Sequence, residues 1–194
     1  MDETLRVMLW FLVGGLGLLI LSSVVLWWFE SSRRLTRGLL RALGKPADAI
    51  IYDLDGQKAA GLDFTAGDVA VLWEHGRQGL VFSFDEIDGA ELIVDEKIVA
   101  RTQKGETRRV MDETYPNAGQ VTLRLMFDDV ETPEFEVELF GKLTQNPVHP
   151  KTAADAVRLG RKWLSHVDAV IKRPPSVRSR PSGEDHDLDD TPDE

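Results

Sequence analysis

The sequence contains no cysteine. That excludes disulfides, thiolate-bound zinc and a thiol nucleophile, and it agrees with a reducing compartment. Histidine is scarce. His75, His149, His166 and His186 are scattered along the chain with no ligand spacing between any two, so no metal site is written in the sequence. No serine sits in a Gly-x-Ser-x-Gly setting, which removes the usual signature of an esterase nucleophile. The one glycine-dense run, Gly14-Gly15-Leu16-Gly17, lies inside an apolar stretch and makes no phosphate loop. Basic residues are in the minority, 23 against 33 acids, for a formal net charge of −10. General nucleic-acid binding rests on phosphate neutralisation by Lys and Arg, and this balance argues against it.

What is present begins with Val7 to Phe29. No ionisable side chain lies between Arg6 and Glu30. A bilayer core needs roughly 20 apolar residues in a helix, and an isolated run can satisfy its backbone in lipid only as a helix. A cleaved signal peptide fits poorly, because the leading residues are acidic and the run exceeds a usual h-region. The spacing therefore predicts a retained anchor over residues 1–30. Basic residues Arg33, Arg34, Arg37, Arg41 and Lys45 follow it, which predicts an outward N-terminus and a cytoplasmic remainder. Trp10 at one end and Trp27 and Trp28 at the other suit the two interfaces.

Residues 31–46 carry a net charge of +5, residues 47–175 carry −8 and residues 176–194 carry −5. Leu35, Leu39 and Leu43 recur at i, i+4 and i+8, with the arginines mostly off that stripe. This predicts a basic amphipathic linker over 31–47 lying in the headgroup region. There Arg33, Arg34, Arg37, Arg41, Lys45, Trp27 and Trp28 would form a membrane-interface set toward anionic lipid, each cation gaining about 1 kcal/mol. The plainer alternative is a stop-transfer flank without lipid specificity. Gly44-Lys45-Pro46 ends the helix.

From Ala49 the pattern changes to short runs broken by turns. Strands are predicted at Ile50–Leu54, Lys58–Phe64, Val69–Glu74, Gly79–Phe84, Ala90–Val94, Lys97–Thr102, Val121–Phe127 and Glu134–Phe140, with Asp55-Gly56 as a hairpin turn. Residues 103–120 read as a long polar loop. In Glu134–Phe140, Phe135, Val137 and Leu139 alternate with Glu134, Glu136 and Glu138, the mark of a sheet with one buried and one wet face. The acidic stripe reads first as a solvated face and more sharply as a docking ridge for a basic partner. Trp73, Phe82, Phe84, Phe127, Phe135 and Trp163 fall at core spacing. Thr152 to Lys172 is the one soluble helix, with Thr152 as N-cap and an apolar stripe from Ala153 to Ile171. Pro174-Pro175 stops it, and residues 174–194 read as an acidic disordered tail.

The segment Phe82-Ser83-Phe84-Asp85-Glu86-Ile87-Asp88-Gly89-Ala90-Glu91-Leu92-Ile93-Val94-Asp95 resembles a phrase of bacterial pleckstrin-homology-like (PH-like) domains of uncharacterised membrane-anchored proteins. Phe127-Asp128-Asp129-Val130 through Phe140 resembles the next hairpin of that group, and Ala153–Ile171 its closing helix. The resemblance covers roughly residues 48–172. It implies a mainly β fold, a PH-like antiparallel barrel or sandwich of about seven strands over 48–173 capped by a helix. It also implies a binding module in a bacterial inner membrane, with no catalytic residue or cofactor carried over. The first hairpin loop, Asp55-Gly56-Gln57-Lys58, is not basic, so headgroup binding by the barrel itself is disfavoured in a domain of this charge.

Ile50-Ile51-Tyr52-Asp53-Leu54-Asp55-Gly56 is similar to the first motif of haloacid-dehalogenase-type phosphatases. There the first Asp attacks phosphorus and the second handles the proton, with magnesium between them. Here Gln57 replaces the small residue that family carries next, and more strands follow instead of a helix. The functional expectation is therefore a non-catalytic, membrane-tethered interaction module for an unknown protein partner, as a scaffold in an envelope complex. The competing readings are a magnesium phosphatase using Asp53 and Asp55, and a lipid-interface protein acting through Arg33–Lys45.

Overall fold

The computed structural model describes residues 12–15, 17, 33–110, 115–141 and 150–173. The predicted span is therefore covered only at 12–15 and 17, which are helical, and among the described residues no helix is long and apolar enough to cross a membrane. Trp27, Trp28 and the acidic tail lie outside the described residues.

Among the described residues a helix over 33–43, here α1, is followed by nine strands and then a long helix. Strands β1 (Ala49–Tyr52), β2 (Ala59–Asp63), β3 (Asp68–Trp73) and β4 (Gln78–Ser83) form a four-stranded antiparallel meander. Strands β5 (Ile87–Val94), β6 (Lys97–Gln103), β7 (Arg109–Val110), β8 (Val121–Phe127) and β9 (Glu134–Phe140) form a second sheet in the order β7-β6-β5-β8-β9. The fold is thus mainly β, as expected, but built as two sheets with no single closed barrel. The two-residue β7 lies within the stretch read as a loop, where the turn at Gly105 returns the chain onto β6.

The sheets share one core. Inward residues of both, such as Ile51, Leu62 and Val71 from the first and Leu92, Leu123 and Val137 from the second, join one apolar cluster with Trp163 and Leu164 of α2 (Ala153–Ile171). Phe82 stacks on Phe127 across the two sheets at 4.2 Å between ring centroids. Of the six aromatics expected in the core, five are buried, and Trp73 is partly buried against it. Alternation on β8 and β9 follows the predicted period of two. Helix α2 buries the predicted stripe, and Thr152 caps it by accepting the Asp155 N–H. Gly160 is needed where α2 crosses β5, because a Cβ there would collide with Leu92.

The main difference lies in α1. The leucines expected to face lipid are buried instead. Leu35 and Leu39 pack with Ala59, Ala70 and Leu72 on the outer face of the first sheet, with Leu43, Ile50 and Tyr52 at the margin. The physical reason is in the strands: Ala59, Ala70 and Leu72 make that outer face apolar, so it needs a cover as much as the leucines do. Gly38 sits where a Cβ would lie 2.8 Å from the Leu72 side chain, so the helix rests directly on the sheet. Lys45 is also committed, 2.8 Å from Asp63.

Candidate functional site

The outer face of the second sheet carries the densest polar organisation. Register sets it. Arg109 on β7 lies opposite Arg101 on β6, Arg101 opposite Glu91 on β5, Glu91 opposite Arg124 on β8, and Arg124 opposite Glu136 on β9. Charges thus run in one row across the sheet, alternating in sign from Arg101 onward. Glu91 Oε1 lies 3.4 Å from Arg101 Nε and Glu91 Oε2 3.3 Å from Arg124 Nη1. Arg124 donates from Nη2 to Glu136 Oε1 at 2.6 Å, and its Nε lies 3.4 Å from Glu134. Glu91 is only 4% exposed although it faces outward, because the two arginines lie over it. Hydrogen bonding to Glu136 chiefly, against the opposing effect of burial, raises the Arg124 pKa further.

Beside this row is a concavity of about 320 Å³ lined by Ile93, Ile98, Thr122 and Gln120 together with the charged Arg124, Glu136, Asp95 and Glu96. Its volume is at the lower end of ligand-sized pockets. Asp95 and Glu96 turn the β5–β6 hairpin with φ of 47° and 66°, the left-handed pair of a type I′ turn. Asp95 Oδ1 accepts N–H bonds from Gly119 and Gln120, both at 2.9 Å, which ties this turn to the loop before β8. Ile98 is 45% exposed within it. The site offers an apolar floor inside a mostly acidic rim, suited to an aliphatic side chain flanked by basic ones. The glutamate stripe was legible in the sequence. Its partners Arg124, Arg101 and Glu91 were not, because they follow from strand register and not from spacing within one strand.

The Asp53–Asp55 pair occupies a different place, the seam where the sheets meet. Asp53 Oδ1 accepts the Glu138 N–H at 2.5 Å, and the Leu54 N–H donates to the Glu138 carbonyl at 2.8 Å. The edge of β1 is thereby joined to β9. Lys58 reaches the Glu136 carbonyl at 3.2 Å beside the same seam. Burial, then the hydrogen bond and charge of Asp55, push the Asp53 carboxyl up to about 7 against the lowering effects of the Glu138 N–H and Lys58. A carboxyl that is buried, bonded to backbone and inclined to hold its proton is poorly placed to attack phosphorus. Among the described residues no group of histidines and carboxylates is arranged to hold a metal ion.

The membrane-interface residues divide. Arg33, Arg34, Arg37 and Arg41 are exposed on α1. Lys45 instead neutralises the fully buried Asp63. Burial alone would raise the Asp63 pKa, but the Lys45 bond and the N–H groups of Ala66 and Thr65 outweigh it and hold the carboxyl below its usual range. His166 is a core-edge side chain, 5.4 Å from the Phe64 ring centroid, and burial and then Lys162 lower its pKa.

Comparison with known proteins finds no match: no family model, no curated protein and no solved structure aligns with this chain.

Proposed function

We propose that this chain is a membrane-tethered, non-catalytic interaction module. On this reading Val7–Phe29 is the single span, the N-terminus lies outside, and a PH-like domain faces the cytoplasm of a bacterium as a scaffold in an envelope complex. The observation that carries it is the outer face of the second sheet, with a pocket of about 320 Å³ that no described element covers. The other large outer face is covered by α1. The partner is a protein presenting an aliphatic side chain among basic ones, matched to Ile93 and Ile98 inside the rim of Asp95, Glu96 and Glu136. Two antiparallel sheets with a closing helix support the PH-like assignment.

The test is affinity capture of the full chain from detergent-solubilised membranes. Ile98→Asp should lose a co-purifying protein that the loop variant Val130→Asp retains, Val130 being 99% exposed away from the pocket. A partner that survives Ile98→Asp overturns the assignment. The phosphatase reading is favoured by motif alone. Magnesium-dependent phosphomonoester hydrolysis lost in Asp53→Asn would replace the module with an enzyme.

A further inference from the structure

We infer that the acidic segment after Arg173 docks on the arginine face of α1 within the same chain. This concerns a surface other than the sheet pocket, and it stands or falls independently of any protein partner.

The first observation is where the C-terminal segment is rooted. Arg173, the last described residue, donates to the Phe64 carbonyl at 3.4 Å and lies 6.0 Å from the Phe64 ring centroid. The Phe64 N–H donates to Asp48 at 2.8 Å, and the preceding Asp63 holds Lys45 at 2.8 Å. Lys45 is two residues beyond the end of α1 at 43. The C-terminal segment therefore leaves the domain beside the C-terminal end of the basic helix.

The second observation is an unmet positive charge. Arg33, Arg37 and Arg41 are exposed at i, i+4 and i+8, on one face. No carboxylate among the described residues pairs with any of the three; Arg41 Nε donates only to the Arg37 carbonyl. The rest of the domain is net acidic and repels an acidic segment, so this face is where such a segment is drawn.

Charge and length fit. Residues 176–194 carry seven acids and two arginines, net −5, against the +5 of residues 31–46. The first acid, Glu184, is eleven residues past Arg173 and within about 40 Å of it along an extended chain. The described part of α1, 33–43, is about 16 Å long, so the block Glu184–Asp190 reaches all three arginines. Because the two surfaces belong to one chain, docking is an intramolecular event with high effective concentration.

The absence of cysteine makes the test clean. Spin labels at Ala42→Cys and Leu188→Cys in the full chain, reconstituted in phosphatidylcholine vesicles, report the separation of tail and helix by pulsed dipolar spectroscopy. A short-distance population comparable with the length of α1 is expected. It should fall roughly threefold when ionic strength rises from about 0.05 to about 0.5 M. It should fall as far in the triple variant Arg33→Gln, Arg37→Gln, Arg41→Gln, and in a second variant with Glu184, Asp185, Asp187, Asp189 and Asp190 changed to their amides. A distribution unmoved by both variants overturns the inference. So does a long distribution in neutral vesicles combined with arginine-dependent binding of phosphatidylglycerol, which assigns the face to lipid instead.

Discussion

Asp53→Asn tests the seam most directly. In the native protein Asp53 accepts the Glu138 N–H and is pressed against Asp55, with its carboxyl pKa pushed up to about 7 from 3.8. A raised folded-state pKa means that the folded protein binds this proton more tightly than the unfolded chain does. Its contribution is fully present below the unfolded value and is lost as pH rises toward the folded one. Between pH 5 and pH 8 this single group should cost the native state about 2–3 kcal/mol. Asn is isosteric. Its Oδ1 can still accept from Glu138, and its amide N–H can donate to Asp55 where the carboxylate repelled it. The variant should therefore match the wild type near pH 5 and exceed it by about 2 kcal/mol at pH 8, or by roughly 8 °C in Tm for a domain of this size.

Urea unfolding followed by circular dichroism at pH 5, 6, 7 and 8 provides the measurement. The informative quantity is the difference between variant and wild type, since other titrating groups contribute equally to both. A difference that stays flat across this range would show that Asp53 is ionised without penalty in the native state. The seam argument would then be wrong, and a functional carboxylate at this position would regain interest.

Other perturbations probe the remaining contacts. Leu39→Ala removes a side chain only 1% exposed between α1 and the first sheet and should cost about 3 kcal/mol in urea unfolding, whereas a leucine lying in lipid would cost the domain nothing. Lys45→Met leaves Asp63 buried without its cation and should cost about 3 kcal/mol at pH 7. That loss should shrink as pH falls, because without Lys45 burial raises the Asp63 pKa in the variant and protonation then removes the unpaired charge, while the wild type keeps its pair until pH reaches the depressed value. Glu96→Gly places glycine at the φ of 66° in the β5–β6 turn and should raise stability by about 0.5–1 kcal/mol, read as a higher urea midpoint at unchanged m-value.

Much of the fold was legible because its strands are half-buried. Val121–Phe127 and Glu134–Phe140 were placed to the residue, since each alternates strictly between core and solvent. The stripe of α2 was legible for the same reason, with Thr152 marking its start. The β1–β2 and β2–β3 pairings lie closer to continuous apolar runs, because α1 covers the outer face of that sheet and removes the polar half of the pattern. That cover was the step not legible. A leucine stripe beside arginines has the same appearance whether its apolar face meets lipid or a sheet, and only the matching outward Ala59, Ala70 and Leu72 tell the two apart. Asp53 and Asp55 show the converse limit. Their spacing is that of a catalytic motif, yet Asp53 serves to join two sheet edges, a relation between residues 85 positions apart in sequence, while Asp55 holds its own turn.

The placement of α1 bears on how the proposed module would act. Layers run from α1 to the first sheet, through the core, to the second sheet, so α1 and the pocketed face lie on opposite sides of the domain. Close contact at Gly38 leaves no slack between helix and sheet. If Val7–Phe29 is the anchor, the segment joining it to the domain does not end in a loose tether but in a helix fixed to the domain's body. Orientation would then pass from the helix through Leu35 and Leu39 to the strands, and the Arg101–Glu91–Arg124–Glu136 row would be held away from the helix that leads to the membrane. A partner reaching that row would approach from the opposite side of the domain and would not compete with α1 for space. Loosening α1 by Leu39→Ala should therefore weaken partner capture only through lost stability or lost orientation. The two separate cleanly, because lost stability is restored by lowering the temperature and lost orientation is not.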